Sequence, residues 1–199
     1  MTTTKSLKGT KTEANLALAY TAESMAYTRY MFYAQQANKD GFPPIAIIFE
    51  STANNEMHHS KVFFKYLPGG KASNEVTIDS GVIGTTAENL AMSANEELHE
   101  GVELYTNAAK VAREEGFEEI AGVFDSIAKV EMFHRERFLK YLDMVQKGTV
   151  YKREKPIVWQ CLVCGYVYEG TEPPVKCPAC AHPRKYYMDV AEMTNYLVD

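Results

Sequence analysis

Cysteine is missing from the first 160 residues of this 199-residue chain; all four lie between Cys161 and Cys180. The long N-terminal stretch therefore has no disulfide framework, and the 46% apolar composition of the whole chain is ordinary for a globular protein that buries a sizeable core. Net positive charge is lacking too. A formal charge of −5 argues against nucleic acid as a partner. Met1 to Lys11 is rich in Thr and Lys without an apolar run. That is neither a signal peptide nor a membrane anchor and points to a cytoplasmic protein. In such a reducing compartment, four clustered cysteines read as a metal site.

Helical texture fills the first three quarters. Thr12 is placed to cap a helix running to about Lys39, ended by Asp40-Gly41-Phe42-Pro43-Pro44. A second helix is expected from about Ile45 to Leu67, before Pro68-Gly69-Gly70. The polar stretch Lys71 to Gly84 is long for a bundle turn and suits a connection that crosses the bundle. Thr86 is expected to cap a third helix to about Glu115, broken by Gly116, and a fourth runs from about Glu118 to Gln146. The division expected is a bundle over 1–148, a charged linker over 149–157 and a small unit over 158–199. The last has aromatics, prolines and cysteines without helical period, the mark of a metal-stapled fold.

The chain repeats itself. Phe49 to Leu67 aligns with Phe124 to Leu142 at a constant offset of 75, sharing Phe, Ser, Ala, Glu, Met, His, Phe, Lys, Tyr and Leu. The helix starts Thr12-Glu-Ala-Asn-Leu-Ala17 and Thr86-Ala-Glu-Asn-Leu-Ala91 echo one another. Two related helical hairpins imply a pseudo-twofold axis, with equivalent residues of both halves facing whatever lies on it.

Among the shared residues are Glu56-x-x-His59 and Glu131-x-x-His134. Spacing of three puts both side chains on one helix face, about a turn apart. A single such pair is more often a solvated ion pair. Its recurrence among Met57, Phe63 and Phe64, and among Met132, Phe133 and Phe138, argues against that. Glu23 lies in an almost uncharged run and needs a proton, a partner or a metal if buried. Helix three offers Glu96, Glu97 and Glu100. Glu97 and Glu100 share a face, whereas Glu96 is turned by about 100° and reads as a surface acid. One Glu from each of two helices plus Glu-x-x-His from each of the others is the pattern of ferritin-like di-iron and di-manganese bundles. Oxygen and imidazole donors favour iron or manganese and also admit zinc. Tyr30 and Tyr105 are spaced to face the site; Tyr27 and Tyr33 read as bundle filling. His58 and His99 read as surface residues, and His182 has no motif partner.

Cys161-x-x-Cys164 and Cys177-x-x-Cys180 form two loops that close a four-thiolate cage, suited to zinc or iron. Trp159, Tyr166, Tyr168, Tyr186 and Tyr187 suggest an apolar shell around a redox centre. A di-iron bundle beside it supplies a reason for a one-electron donor, which favours iron.

Both modules, in this order and over nearly the whole chain, resemble the rubrerythrin family. The matching stretches are Ala22-Glu23-Ser24 with Arg29-Tyr30, Asn55-Glu56 through His59, Glu97 through Glu100, and Lys129-Val130-Glu131 through His134. To these add Cys161-x-x-Cys-Gly-Tyr and Cys177-Pro-Ala-Cys-Ala-His-Pro183. Asn95-Glu96 departs from the small residues usual there and bears on access to the site. The resemblance implies an all-α ferritin-like four-helix bundle with a C-terminal rubredoxin-like domain. It implies a homodimeric non-haem peroxidase that reduces hydrogen peroxide to water, with two bundle irons and one four-cysteine iron. Electrons would come from an NAD(P)H-dependent reductase or a rubredoxin. Glu23 would be a terminal ligand of the first iron, Glu56 and Glu131 would bridge, and Glu97 and His134 would complete the second iron. Glu100 and His59 would alternate on the first, and Tyr30 and Tyr105 would hydrogen-bond around the centre. The alternatives are a ferroxidase, which has no need of an appended electron donor, and a non-catalytic zinc-binding module.

Overall fold

A computed structural model of the chain describes residues 5–73, 77 and 80–193. Helix α1 spans Lys11–Asp40. Its buried positions, Leu16, Ala19, Glu23, Ala26, Tyr30, Tyr33 and Ala37, recur every three or four residues, the spacing of one helix face. Helix α2, Pro43–Tyr66, packs along α1. Two boundaries differ from expectation. The cap of α1 is Thr10, whose hydroxyl accepts the Glu13 N–H at 3.1 Å, and not Thr12. Helix α2 begins at Pro43, because proline at the first helical position gives up an N–H that has no partner there anyway.

The third helical stretch is not continuous. Thr85 caps α3, Thr86–His99, through a reciprocal capping box with Glu88, which makes Thr86 the first helical residue. A π-helical segment over Glu100–Leu104 follows, and α4, Tyr105–Glu114, completes the stretch. Helix α5 covers Glu118–Gln146, as expected.

The long connection does cross the bundle. At its start the Gly69 and Lys71 carbonyls accept from Lys8 Nζ, beside the beginning of α1. At its end the Val82 carbonyl accepts from the Tyr33 hydroxyl and Thr86 binds Asp40, beside the end of α1. Residues 74–76 and 78–79 of this stretch lie outside the described residues.

Two carboxylates latch opposite ends of the bundle. Asp40 Oδ2, at the end of α1, accepts from Thr86 N (2.8 Å) and Thr86 Oγ1 (2.7 Å) at the start of α3. Glu115, at the end of α4, accepts from Thr12 N (2.8 Å) and Thr12 Oγ1 (2.6 Å) at the start of α1. Each takes up N–H groups that a helix start leaves without intrahelical partners. Helices α1, α2 and α5 each pass from one apolar cluster, around Tyr30, Phe49 and Phe138, to a second around Phe63, Tyr105 and Phe124; α3 packs in the first and α4 in the second.

Beyond α5 a three-stranded antiparallel sheet has the order β2-β1-β3, with β1 Ile157–Cys161, β2 Val167–Gly170 and β3 Tyr187–Asp189. A 3-10 turn over Arg184–Tyr186 precedes β3, and the short α6, Val190–Met193, follows it. This unit is seated on the bundle. Val150 and Met188 are buried in the cluster of Tyr30 and Phe49. The Tyr151 hydroxyl lies 3.1 Å from the Gly41 carbonyl and 3.0 Å from that of Lys185, and Glu192 pairs with Lys140.

Candidate metal centres

Between the two apolar clusters, each helical stretch turns acid or imidazole inward. Helix α1 brings Glu23, α2 brings Glu56 and His59, α3 brings Glu97, and α5 brings Glu131 and His134. Glu23, Glu56, Glu97, Glu131 and His134 are at most 1% exposed. Two groups form, each with its donor atoms within 4.8 Å of one another: Glu23, Glu56, His59 and Glu131, and Glu56, Glu97, Glu131 and His134. Glu56 and Glu131 belong to both. His59 Nδ1 lies 2.9 Å from Glu56, 3.1 Å from Glu131 and 3.7 Å from Glu23. His134 Nδ1 lies 3.0 Å from Glu56, 3.0 Å from Glu131 and 3.7 Å from Glu97. The two halves thus make nearly superimposable sites, as a pseudo-twofold axis demands, and the imidazoles lie 6.0 Å apart.

Four buried carboxylates cannot all stay ionised in an apolar interior without cations. Burial, reinforced by Glu56 and Glu131, pushes Glu23 up to about 8. Burial and the neighbouring Glu56 drive Glu97 well above the carboxylate range. Burial would raise Glu56 as well, but His134 and His59 outweigh it and hold it at about 2. Burial opposes charge on both imidazoles, yet the surrounding carboxylates lift both well above the usual histidine value. Glu23 Oε2, both Glu56 oxygens, Glu97 Oε2 and Glu131 Oε1 are buried without a hydrogen-bond partner. Such orphaned anionic oxygens, converging with two imidazoles, fit a pair of metal ions, and the mixed oxygen and nitrogen donors suit iron or manganese.

Two tyrosines close the centre from opposite ends. Tyr30 donates to Glu97 Oε1 at 2.7 Å and Tyr105 to Glu23 Oε1 at 2.5 Å. Both phenols are pushed well above their ordinary range, by burial first and then by the nearby carboxylates. Tyr33 is turned away, towards Val82 and Met92, and Tyr27 is exposed.

Glu100 stands outside both groups. It opens the π segment, where Tyr105 N–H reaches back five residues to the Glu100 carbonyl. Its carboxyl is nevertheless raised well above its ordinary value, by loss of solvent and then by Glu23, Glu97, Glu131 and Glu56, although its surface is only partly covered. Sequence reasoning missed the π segment, although a signal was there. Glu97 stands 74 residues after Glu23, whereas Tyr105 stands 75 after Tyr30. One extra residue between them is what a π-bulge accommodates.

Other expectations need correction. Glu96 is not an ordinary surface acid. Its 100° turn from Glu97 points it at α1, where it pairs with Arg29, both side chains being about one-fifth exposed or less. Met57, Phe64 and Phe133 face outward, because they sit next to inward residues and a helix turns its neighbours away; Phe63 and Phe138 are buried. His58 and His99 are exposed.

In the small unit the two cysteine loops are near copies. Cys161 N–H bonds the Tyr166 carbonyl and Cys177 N–H the His182 carbonyl, both at 2.8 Å, and Gly165 and Ala181 turn each loop at φ of 77° and 60°. Sulfur separations of 3.7 Å (Cys161–Cys180) and 3.6 Å (Cys164–Cys177) are too long for disulfides. They suit a tetrahedron with arms of about 2.3 Å, whose edge is about 3.8 Å. Trp159 and Tyr187 line the cage and are buried; Tyr166 and Tyr168 are 36% exposed, so the apolar shell is smaller than expected. Burial pushes the Cys177 thiol up, but Tyr187 and the Cys180 and Ala179 N–H groups bring it down to about 6.

Comparison with known proteins agrees with this geometry. The family model for rubrerythrin matches residues 14–153, and that for the rubrerythrin rubredoxin-like domain matches 159–188. The chain is 48% identical over 183 residues to rubrerythrin of Nitratidesulfovibrio vulgaris, covering 92% of this chain and 96% of that one. It is 46% identical over 192 residues to rubrerythrin of Porphyromonas gingivalis, covering 96% and 95%. Its fold is similar to mixed-valence nigerythrin, with a TM-score of 0.62 and 26% identity over 95% of this chain and 90% of that one. Bacterioferritin of Mycobacterium tuberculosis shares the fold at 20% identity and a TM-score of 0.61, over 70% of this chain and 88% of that one.

Proposed function

The chain belongs to the rubrerythrin family, and on that footing we propose that it is a non-haem peroxidase reducing hydrogen peroxide to two waters with two electrons and two protons. The observation that carries this is the pairing, in one chain, of a largely buried site of four carboxylates and two imidazoles with a four-cysteine cage seated on the same bundle. Glu23, Glu56, His59, Glu97, Glu131 and His134 would hold two irons, and Cys161, Cys164, Cys177 and Cys180 a third. The bundle irons, when bound, supply the two electrons that peroxide takes.

The chain's own residues set the conditions. The two apolar clusters exclude bulk water. Tyr30 Oη and Tyr105 Oη donate to Glu97 and Glu23 and hold those carboxylates in orientation. Glu100 stands outside the two ligand groups, where the neighbouring carboxylates favour its neutral form. We assign it and His59 alternate occupancy of one position. Anionic Glu100 suits the more positive oxidised centre, and neutral His59 suits the reduced one. The NAD(P)H-dependent reductase or rubredoxin as donor, the homodimer and the cytoplasmic setting belong to the same proposal. No helix of the described residues is long and apolar enough to cross a membrane.

The test is anaerobic. Fully reduced protein mixed with one equivalent of peroxide should be oxidised faster than by dioxygen, and Glu100→Ala should slow that reaction at least tenfold. Preference for dioxygen with uptake of ferrous ion would favour the ferroxidase. A colourless protein holding zinc in the cage would favour the non-catalytic module.

A further inference from the structure

The Nδ1 surroundings of His59 and His134 match within 0.1 Å across the pseudo-twofold axis. Their Nε2 surroundings do not. His134 Nε2 lies 3.3 Å from Asn55 Oδ1, reaching from α5 to α2. No described residue bonds His59 Nε2, and the His59 side chain is 13% exposed against 2% for His134. The repeat explains the difference. Asn55 immediately precedes Glu56, and the residue in the same place before Glu131 is Val130, which has no acceptor.

The tautomer follows from the chemistry. An imidazole that gives its Nδ1 lone pair to a metal carries its remaining proton on Nε2, and the metal-free imidazolium carries one there as well. In both states His134 Nε2–H needs an acceptor, and Asn55 Oδ1 is it. Such an outer partner fixes ring orientation and raises ligand basicity. His59 receives neither effect.

We infer that Asn55 is the positioning residue of this centre, anchoring His134 through Nε2, and that Val130 leaves His59 free, which makes His59 and not His134 the histidine that exchanges with Glu100. This rests on the reading of the site as a metal centre at which His59 and Glu100 exchange, and adds what holds the other half still. The difference is local to Nε2. The shared carboxylates treat both rings alike, and the rings stack at 26°, so no other contact within the pair favours either ring.

The test separates anchor from activity. Full-length protein labelled with 15N-histidine and loaded with Zn2+ as a diamagnetic probe should show one slowly exchanging Nε2–H from the buried pair, that of His134. Asn55→Val should lose it, Asn55→Asp should keep it, and Val130→Asn should add a second from His59. Retention in Asn55→Val, or no second signal in a folded Val130→Asn protein, overturns the anchor. In iron-loaded crystals, oxidised and then dithionite-reduced, His59 should occupy different positions in the wild type and one position in Val130→Asn. Movement that persists in Val130→Asn despite the second protected N–H overturns the link between anchor and mobility. A His59 that stays fixed in the wild type overturns its freedom, while peroxide turnover, measured separately, tests the peroxidase reading.

Discussion

Gly101 is where the π segment touches α5. A Cβ there would come within 2.9 Å of the Ala128 carbonyl and 3.4 Å of Glu131 Cβ. Backbone cannot yield as a flexible side chain can, so Gly101→Ala should push the π segment away from Glu131, which both carboxylate groups share. The expected cost is about 1–3 kcal/mol, as for overpacked cores. It is checked by a lower urea midpoint at unchanged slope; an unchanged midpoint would mean the segment flexes freely. Tyr187 makes a second prediction. Its hydroxyl is buried without a hydrogen bond to any described residue, and it faces the Cys177 sulfur, whose thiol it draws down, so it is placed to donate there when the cage is filled. Hydrogen bonds to ligand sulfurs stabilise the reduced, more electron-rich cluster. Tyr187→Phe should therefore lower the reduction potential of a cage loaded with iron, read by potentiometric titration of its visible band. An unmoved potential would assign the phenol to packing alone. The ligand-type residues were legible in sequence because acids and imidazoles at helical spacing within apolar stretches have few other uses. Asn55 was not, since a neutral amide on a helix carries no such signal until its partner across the bundle is seen.

At the scale of elements, the two latches show what repetition does. Asp40 and Glu115 stand 75 residues apart, as do the glycines that follow them, Gly41 at φ 90° and Gly116 at φ 79°. Both glycines adopt the left-handed turn that ends a helix, and both acids then reach the start of another helix. Glu115 is held below its ordinary 4.5, first by the Thr12 hydroxyl and then by the Thr12 and Lys11 N–H groups. A depressed carboxylate contributes stability that is present above the unfolded value and is lost as pH falls through the folded one. Glu115→Gln should destabilise by about 0.5–1 kcal/mol at neutral pH, the low end of a capping loss because the group is largely solvated. The gap to wild type should close as pH falls below the depressed folded value of Glu115, where both side chains are neutral. A gap that persists in acid would show that shape, not charge, makes the latch. Four helical stretches and their order could be read from periodicity and breakers. The exact caps were written there too, as the Thr-x-x-Glu boxes Thr10 to Glu13 and Thr85 to Glu88, and the expectation of Thr12 and Thr86 passed over them. The π segment was better hidden. A one-residue insertion leaves composition unchanged and shows only as a shift of offset between halves.

At the scale of the molecule, the open question is how far the two centres act as one device. The change of texture after Gly148 was legible as an end to helical period. That the small unit would sit on the bundle was not, because Val150 and Met188 look like ordinary apolar residues of a linker and a strand. Their burial beside Tyr33 and Phe49 means that truncation at Gly148 would strip the bundle's own core, so loss of activity in a truncated chain would not isolate electron entry. A point change in the cage does. Cys177→Ser leaves Val150, Tyr151 and Met188 in place while removing one of four thiolates, so the cage should lose its metal and the bundle should keep both of its own. If electrons enter through the cage, NAD(P)H-supported turnover with a reductase should fall at least a hundredfold. Bundle iron reduced beforehand by dithionite should still be oxidised by one equivalent of peroxide at close to the wild-type rate. Steady turnover that survives would mean electrons reach the carboxylate site directly and the cage is structural. Loss of the single oxidation, with bundle metal lost as well, would mean instead that the cage holds the bundle together through its seat on α2 and α5.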